Sequence, residues 1–132
     1  NKDINKWQYN IGCRIMDKKD NVKQTDYGYE ITWVSEETYG GKILVFDKIT
    51  KTDFWFNSKT EKCWFVNNGE FLFKWIDTNT GQLFEKQASE GTTFISKPLM
   101  PCAIECKNVG SITEVNNGSN DDHNIVIKKD NY

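Results

Sequence analysis

Residues 71–87 read FLFKWIDTNTGQLFEKQ, and this stretch has the pattern of a β-hairpin. Aromatic side chains recur at every second position from Phe71 to Trp75, a period of two that places them on one face of a strand. The DTNTG segment that follows contains Asn79 and Gly81, which both tolerate positive φ angles. We therefore predict two antiparallel strands joined by a short turn.

The same period of two recurs along most of the chain, in short runs separated by turn-forming residues. The alternating apolar positions are Tyr29, Ile31 and Trp33, Ile43 and Val45, Phe54 and Phe56, Phe94 with Ile95, and Ile125 and Ile127. The turn signals are Gly40-Gly41, Asn67-Asn68-Gly69, Glu90-Gly91 and Asn116-Asn117-Gly118. No stretch has the spacing of a long amphipathic helix. Many short strands predict an all-β sandwich or barrel.

The length of the chain and its charge distribution exclude several classes of function. A chain of 132 residues is suited to one domain, and we expect residues 27–132 to form its barrel, with residues 1–26 of uncertain structure. The chain has seventeen Lys and Arg residues and nineteen Asp and Glu residues. It has no basic run that would bind nucleic acid or an anionic membrane surface. We expect no nucleic-acid or membrane partner. The sequence shows neither a membrane-spanning apolar run nor a signal-peptide pattern, so a cytoplasmic location is the expectation.

The four cysteines, Cys13, Cys63, Cys102 and Cys106, are too sparse for a disulfide scaffold. Cys102-x-x-x-Cys106 has no second pair at the spacing of a zinc finger. We therefore predict reduced thiols that are mostly packed in the core.

The order of the segments resembles the cupin domain of type II mannose-6-phosphate isomerases. The segments that carry the resemblance are YGYEITW at 27–33, GGKILVF at 40–46, WFVNNGEF at 64–71, TTFISKPLMPC at 92–102, EVNNG at 114–118 and HNIVIKKDNY at 123–132. The resemblance implies a cupin double-stranded β-helix, also called a jelly-roll barrel, with a metal ion in its mouth. It also implies aldose–ketose isomerisation of a sugar phosphate and a homodimer.

The metal-ligand positions of that family are occupied by other residue types in this chain. The resemblance places them at Trp55, Asn57, Lys62, Cys63 and Cys102. A divalent ion needs several imidazole or anionic donors at about 2.0–2.3 Å, whereas Trp55 offers no lone pair and Lys62 brings a positive charge. A soft metal held by Cys63, Cys102 and Asn57 is the less favoured alternative. We therefore predict no metal and no other cofactor.

Three functions remain open from the sequence. The first is a binding module for a sugar or sugar phosphate, with Trp55 and Trp64 as stacking surfaces and Asn57 and Lys62 as polar contacts, beside Cys102. The second is an isomerase or epimerase with an altered active site. The third is a structural or interaction protein whose barrel mouth is filled by Trp55 and its neighbours. We predict the first, with Trp55, Asn57, Lys62, Trp64 and Cys102 as ligand-binding residues.

Catalytic residues cannot be assigned from the sequence. His123, the sole histidine, is interpreted as a solvated loop residue rather than a general base. Lys62 is a candidate base or Schiff-base amine, although a lysine with a buried stem and an amine at the rim is the commoner arrangement. Glu114 is interpreted as a barrel residue whose carboxylate is satisfied by hydrogen bonds.

Overall fold

The computed structural model describes residues 8–10, 13–15, 17, 21–118 and 124–127. The strands are β1 (Gln8–Asn10), β2 (Cys13–Ile15), β3 (Val22–Thr25), β4 (Gly28–Ser35), β5 (Gly40–Phe46), β6 (Phe54–Asn57), β7 (Lys62–Ile76), β8 (Leu83–Ala88), β9 (Thr93–Ser96), β10 (Cys102–Asn116) and β11 (Asn124–Ile127). These ranges contain no helix, which confirms the all-β prediction and leaves none that would span a membrane.

Two long strands, β7 and β10, organise the main sheet. They pair antiparallel from Cys102 opposite Trp75 to Asn116 opposite Lys62. The other edge of β7 pairs with β8 and β9, while the other edge of β10 pairs with β5 and, at its start, with β6. β4 and β3 extend the sheet beyond β5, and β11 extends it beyond β6. Because β3 is part of this sheet, the sheet begins upstream of Tyr27.

The predicted hairpin is present as β7 and β8. Phe71 and Phe73 are buried, and Trp75 packs against the same core. The Asp77 side chain accepts a hydrogen bond from the Asn79 amide at 2.8 Å, and the Asp77 carbonyl accepts one from the Gly81 amide at 2.7 Å. These contacts close the turn locally, so the short DTNTG segment determines where the chain reverses.

The Asn67-Asn68-Gly69 segment, predicted as a turn, lies inside β7 instead. Gly69 has a φ of +90°, and the pairing of β7 with β10 shifts register beside it. Such a shift is a β-bulge, which bends a strand without ending it. The two backbones approach so closely that a Cβ on Gly110 would lie 2.2 Å from the Asn68 carbonyl oxygen. Gly40-Gly41, also predicted as a turn, begins β5.

The alternating apolar rows noted in the sequence of β4 and β5, Tyr29 to Trp33 and Ile43 to Val45, are not the rows that face inward. On β5, Leu44 and Phe46 are only 3% and 1% exposed, whereas Trp33 on β4 is 45% exposed. Glu30 lies directly opposite Leu44, so it faces inward, and Lys42 shares that face two positions away. Both faces of β5 carry large apolar side chains, so periodicity alone does not choose between them.

Three cysteines have side chains within the described residues. Cys102 and Cys106 are buried in the core, Cys63 is partly exposed, and all three are free thiols. This confirms, for these three, the prediction of reduced cysteines that are mostly packed.

Candidate functional site

An open pocket of about 480 Å³ lies over the inward face of β4, β5 and β10, beside the start of β7. Its charged lining residues are Lys23, Lys42, Lys51, Lys62, Asp26, Glu30, Asp53 and Glu114. The positive and negative side chains are equal in number, so the pocket has little net charge. Trp55 forms part of its wall. The combination of an indole face and paired charges suits a small polar ligand rather than a wholly apolar one.

Four of the five predicted site residues meet on one side of this pocket. The Lys62 ammonium lies 5.6 Å from the centre of the Trp55 ring. The rings of Trp55 and Trp64 are 6.0 Å apart, and Cys102 lies directly opposite Trp55 across β10 and β6. Trp55 and Lys62 line the pocket, whereas Trp64 and Cys102 are buried behind them, at 1% and 2% exposure. Trp64 therefore supports the wall from the core rather than presenting a stacking surface.

Asn57, the fifth predicted site residue, is used in a turn. Its side chain is buried, and its amide oxygen accepts hydrogen bonds from the backbone amides of Lys59 and Thr60 at 2.8 and 3.0 Å. An asparagine that bonds to the backbone two or three residues further on stabilises the turn in which it sits. Asn57 is not among the residues that line the pocket, so its amide shapes the β6–β7 connection instead.

The pocket also contains a chain of polar contacts, formed by Tyr27, Glu30 and Lys42, that the sequence did not predict. The Tyr27 hydroxyl donates a hydrogen bond to Glu30 at 2.6 Å, and the Lys42 ammonium lies 3.4 Å from the other oxygen of Glu30. Burial, reinforced by the negative charge of Glu30, raises the pKa of Tyr27 above its usual value, so the phenol stays protonated. The sequence feature that pointed to these contacts was Lys42, a charged residue two positions before Leu44, which is buried in the structure.

Glu114 lies at the bottom of the pocket with its carboxylate almost completely enclosed. The indole N–H of Trp64 donates to one oxygen at 2.9 Å, and the side-chain amide of Asn116 donates to the other at 3.1 Å. This confirms the interpretation of Glu114 as a barrel residue satisfied by hydrogen bonds. Lys42 on β5 lies directly opposite Glu114, so these two charged residues are adjacent in the sheet.

The donor set does not fit the metal that the resemblance implies. Burial raises the pKa of the Cys102 thiol to about 11, so it stays protonated at neutral pH and is a poor ligand. Cys63 lies opposite Val115 and Ile95, which are 45% and 55% exposed, and therefore shares their outward face. The Asn57 oxygen is engaged in its turn. Within the described ranges, no three His, Cys, Asp or Glu residues are grouped to hold a metal.

Comparison with known proteins identifies the fold. No family model matches the sequence, and no curated protein matches it. Oxalate decarboxylase from Bacillus subtilis at pH 4.6 superposes with a TM-score of 0.74 at 12% identity, covering 83% of this chain and 31% of that one. CapF with the inhibitor 3-isopropenyl-tropolone superposes with a TM-score of 0.70 at 10% identity, covering 81% and 33%. The chain has a cupin fold.

A third cupin, the formate complex of oxalate decarboxylase from Lactobacillus farciminis, has a TM-score of 0.71 at 12% identity and covers 83% of this chain and 35% of that one. The chain therefore spans about a third of the length of these solved cupins. The fold prediction is confirmed, and at these identities the similarity concerns the fold alone.

Proposed function

We propose that this cupin binds a sugar or a sugar phosphate in its pocket without a resident metal. The observation that carries the proposal is an open pocket whose wall combines the Trp55 indole with charged side chains. Sugars present both an apolar C–H face, which packs on an aromatic ring, and hydroxyls, which pair with carboxylates and ammonium groups. Metal ligation plays no part in the proposal, because the residues at the expected ligand positions are not suitable donors.

The volume of the pocket supports binding over a filled barrel. Small-molecule sites usually measure roughly 300–1,000 Å³, and the pocket at Trp55 falls within that range at about 480 Å³. Trp55 lies in the wall and leaves this space open. The resemblance to type II mannose-6-phosphate isomerases then supplies the first ligands to test, namely mannose, fructose and their 6-phosphates.

We expect at least one of these four sugars to raise the melting temperature of protein that has been treated with EDTA. A ligand at one hundred times its Kd adds about 2.7 kcal/mol to the free energy of unfolding, which corresponds to a shift of several degrees for a chain of this length. The measurement is a thermal-shift titration, with elemental analysis of the same preparation before EDTA is added. We expect metal to be well below one equivalent.

Two tryptophans provide a matched comparison for this experiment. Trp55→Ala should abolish the ligand-induced shift because Trp55 lines the pocket, whereas Trp33→Ala should retain it because Trp33 lies on the outer face. A stoichiometric metal whose removal abolishes binding would contradict the proposal. So would a Trp55→Ala protein that still binds with unchanged affinity.

The polar chain of Tyr27, Glu30 and Lys42 favours a second candidate function, an isomerase or epimerase that moves a proton beside a carbonyl. It joins a carboxylate, a protonated phenol and an ammonium within one pocket. These are the groups that general acid–base catalysis needs for a base, an acid and a charge partner. His123 lies outside the described residues.

This candidate predicts solvent exchange at a carbon-bound proton. In D₂O, mannose 6-phosphate or fructose 6-phosphate should gain deuterium at the carbon beside the carbonyl, as measured by NMR. Glu30→Gln should abolish the exchange, and Glu85→Gln, which removes an exposed carboxylate outside the pocket, should leave it unchanged. A sugar phosphate that binds without exchange excludes this enzyme and leaves the binding function.

A further inference from the structure

The charged groups of the pocket differ in how their charges are compensated. The Lys42 ammonium is paired with Glu30, and both oxygens of Glu114 accept hydrogen bonds. Lys23 and Lys62 also line the pocket, and within the part of the chain that the structure describes neither ammonium forms an ion pair. Lys23 is exposed, whereas Lys62 is half-buried and so partly shielded from water. A cation that lines a pocket without an anionic partner is available to a ligand.

The position of this ammonium is set by rigid elements. Lys62 is the first residue of β7, where its backbone pairs with Ser96 on β9 and with Asn116 on β10. The side chain is half-buried, and its ammonium lies over the Trp55 ring. An indole face attracts a cation while leaving its N–H donors able to contact a further group. The Lys62 ammonium is therefore positioned in the wall of the pocket, beside Trp55.

We propose that Lys62 and Trp55 form the subsite for an anionic group of the ligand, a phosphate monoester or a carboxylate. The ring of the ligand would pack on Trp55, and its hydroxyls would reach the polar chain of Glu30 and Lys42. This inference rests on the proposed function, since it assigns an orientation to a ligand in the same pocket. It makes Lys62 the residue that distinguishes an anionic ligand from its neutral counterpart.

The near balance of charge in the pocket limits how strongly it can prefer an anionic ligand over a neutral one. The pocket is lined by four lysines and four acidic residues, so as a whole it does not concentrate anions. A preference for an anionic ligand must therefore come from one local contact. A hydrogen bond to a charged group that is partly shielded from water favours the charged ligand by about tenfold to a hundredfold. We therefore expect mannose 6-phosphate to bind at least about tenfold more tightly than mannose.

The test is isothermal titration of mannose, mannose 6-phosphate and mannuronate into four proteins. Lys62→Gln should lose the preference for mannose 6-phosphate, so that its affinities for mannose and for mannose 6-phosphate become equal. Lys62→Arg should keep most of the preference, because it retains the positive charge. Lys48→Gln should match the unchanged protein, since Lys48 is exposed and does not line the pocket. Mannuronate, whose ring carries a carboxylate in place of the 6-phosphate group, separates a carboxylate subsite from one restricted to phosphate.

The outcomes distinguish this inference from the function on which it rests. Binding of mannose and mannose 6-phosphate with equal affinity overturns the inference and leaves sugar binding intact. An anion preference that survives in Lys62→Gln also overturns it, as does a parallel loss of mannose binding in that variant. If none of the sugars and sugar phosphates binds, the proposed function itself fails.

Discussion

Trp64→Ala should lower the free energy of unfolding by about 4 kcal/mol, as measured by denaturant titration. Trp64 is only 1% exposed, and its ring centre lies 5.5 Å from those of Phe73 and Phe94 and 6.0 Å from that of Trp55. Truncation removes these contacts, leaves a cavity, and deprives the buried Glu114 of its indole donor. A loss of this size is a large fraction of the stability of a small domain.

Two controls divide this loss into its causes. Trp64→Phe keeps an aromatic ring and removes the N–H donor, so its cost of about 1–3 kcal/mol should report mainly the unsatisfied oxygen of Glu114. Trp33→Ala removes the same residue type from the outer face, where it is 45% exposed, and should cost much less than Trp64→Ala. Equal losses for Trp33→Ala and Trp64→Ala would show that the two indoles are not on opposite sides of the sheet.

Trp64 also connects the core to the candidate site. Its indole holds one oxygen of Glu114, and Glu114 lies directly opposite Lys42, whose ammonium contacts Glu30. The ring of Trp64 packs against Trp55 in the pocket wall. The geometry of the pocket therefore depends on a residue that does not line it.

The hairpin of β7 and β8 was predictable because its determinants are local. Alternation from Phe71 to Trp75 sets one face, and the contacts that close the turn all lie within residues 77–81. The Glu114 carboxylate was likewise interpreted correctly, because a carboxylate inside a barrel must be hydrogen-bonded.

The inward face of β4 and β5 was not predictable in the same way. Ile43 and Val45 alternate as regularly as Leu44 and Phe46, so the sequence indicates a strand without indicating which row is buried. The choice depends on which face meets the core contributed by β7 and β10, a non-local condition. Glu30 and Lys42 were not among the predicted site residues, because the sequence alone does not indicate that their row faces inward.

The role of Asn57 was not predictable from the sequence for a different reason. The resemblance placed it with Trp55 in the predicted site, but its amide oxygen is taken by the backbone of the following turn. Asparagine competes for nearby backbone amides wherever a strand ends, and that competition depends on the turn geometry. The Asn67-Asn68-Gly69 segment has a composition typical of turns, yet it forms a bulge within a continuous strand.

Gly110→Ala should lower the free energy of unfolding by about 3 kcal/mol, because the bulge leaves no space for a side chain. The Cβ would lie 2.2 Å from the Asn68 carbonyl oxygen and 2.6 Å from the Gly69 Cα. Backbone atoms on both strands would have to move apart, and β10 would lose its pairing beside the segment that carries Glu114. The measurement is denaturant unfolding, combined with ligand titration of the variant.

Gly81→Ala is the matched control, because it separates lack of space from backbone strain. Gly81 has a φ of +75° and no atom within 4 Å of an added Cβ, so alanine there should cost only about 1–2 kcal/mol of conformational strain. Gly110 is not among the residues with positive φ, so its cost should be steric alone. We expect Gly110→Ala to be the less stable protein and to weaken ligand binding, since Glu114 follows on the same strand. If Gly81→Ala were the more damaging change, the close crossing of β7 and β10 would not be the constraint that positions the pocket.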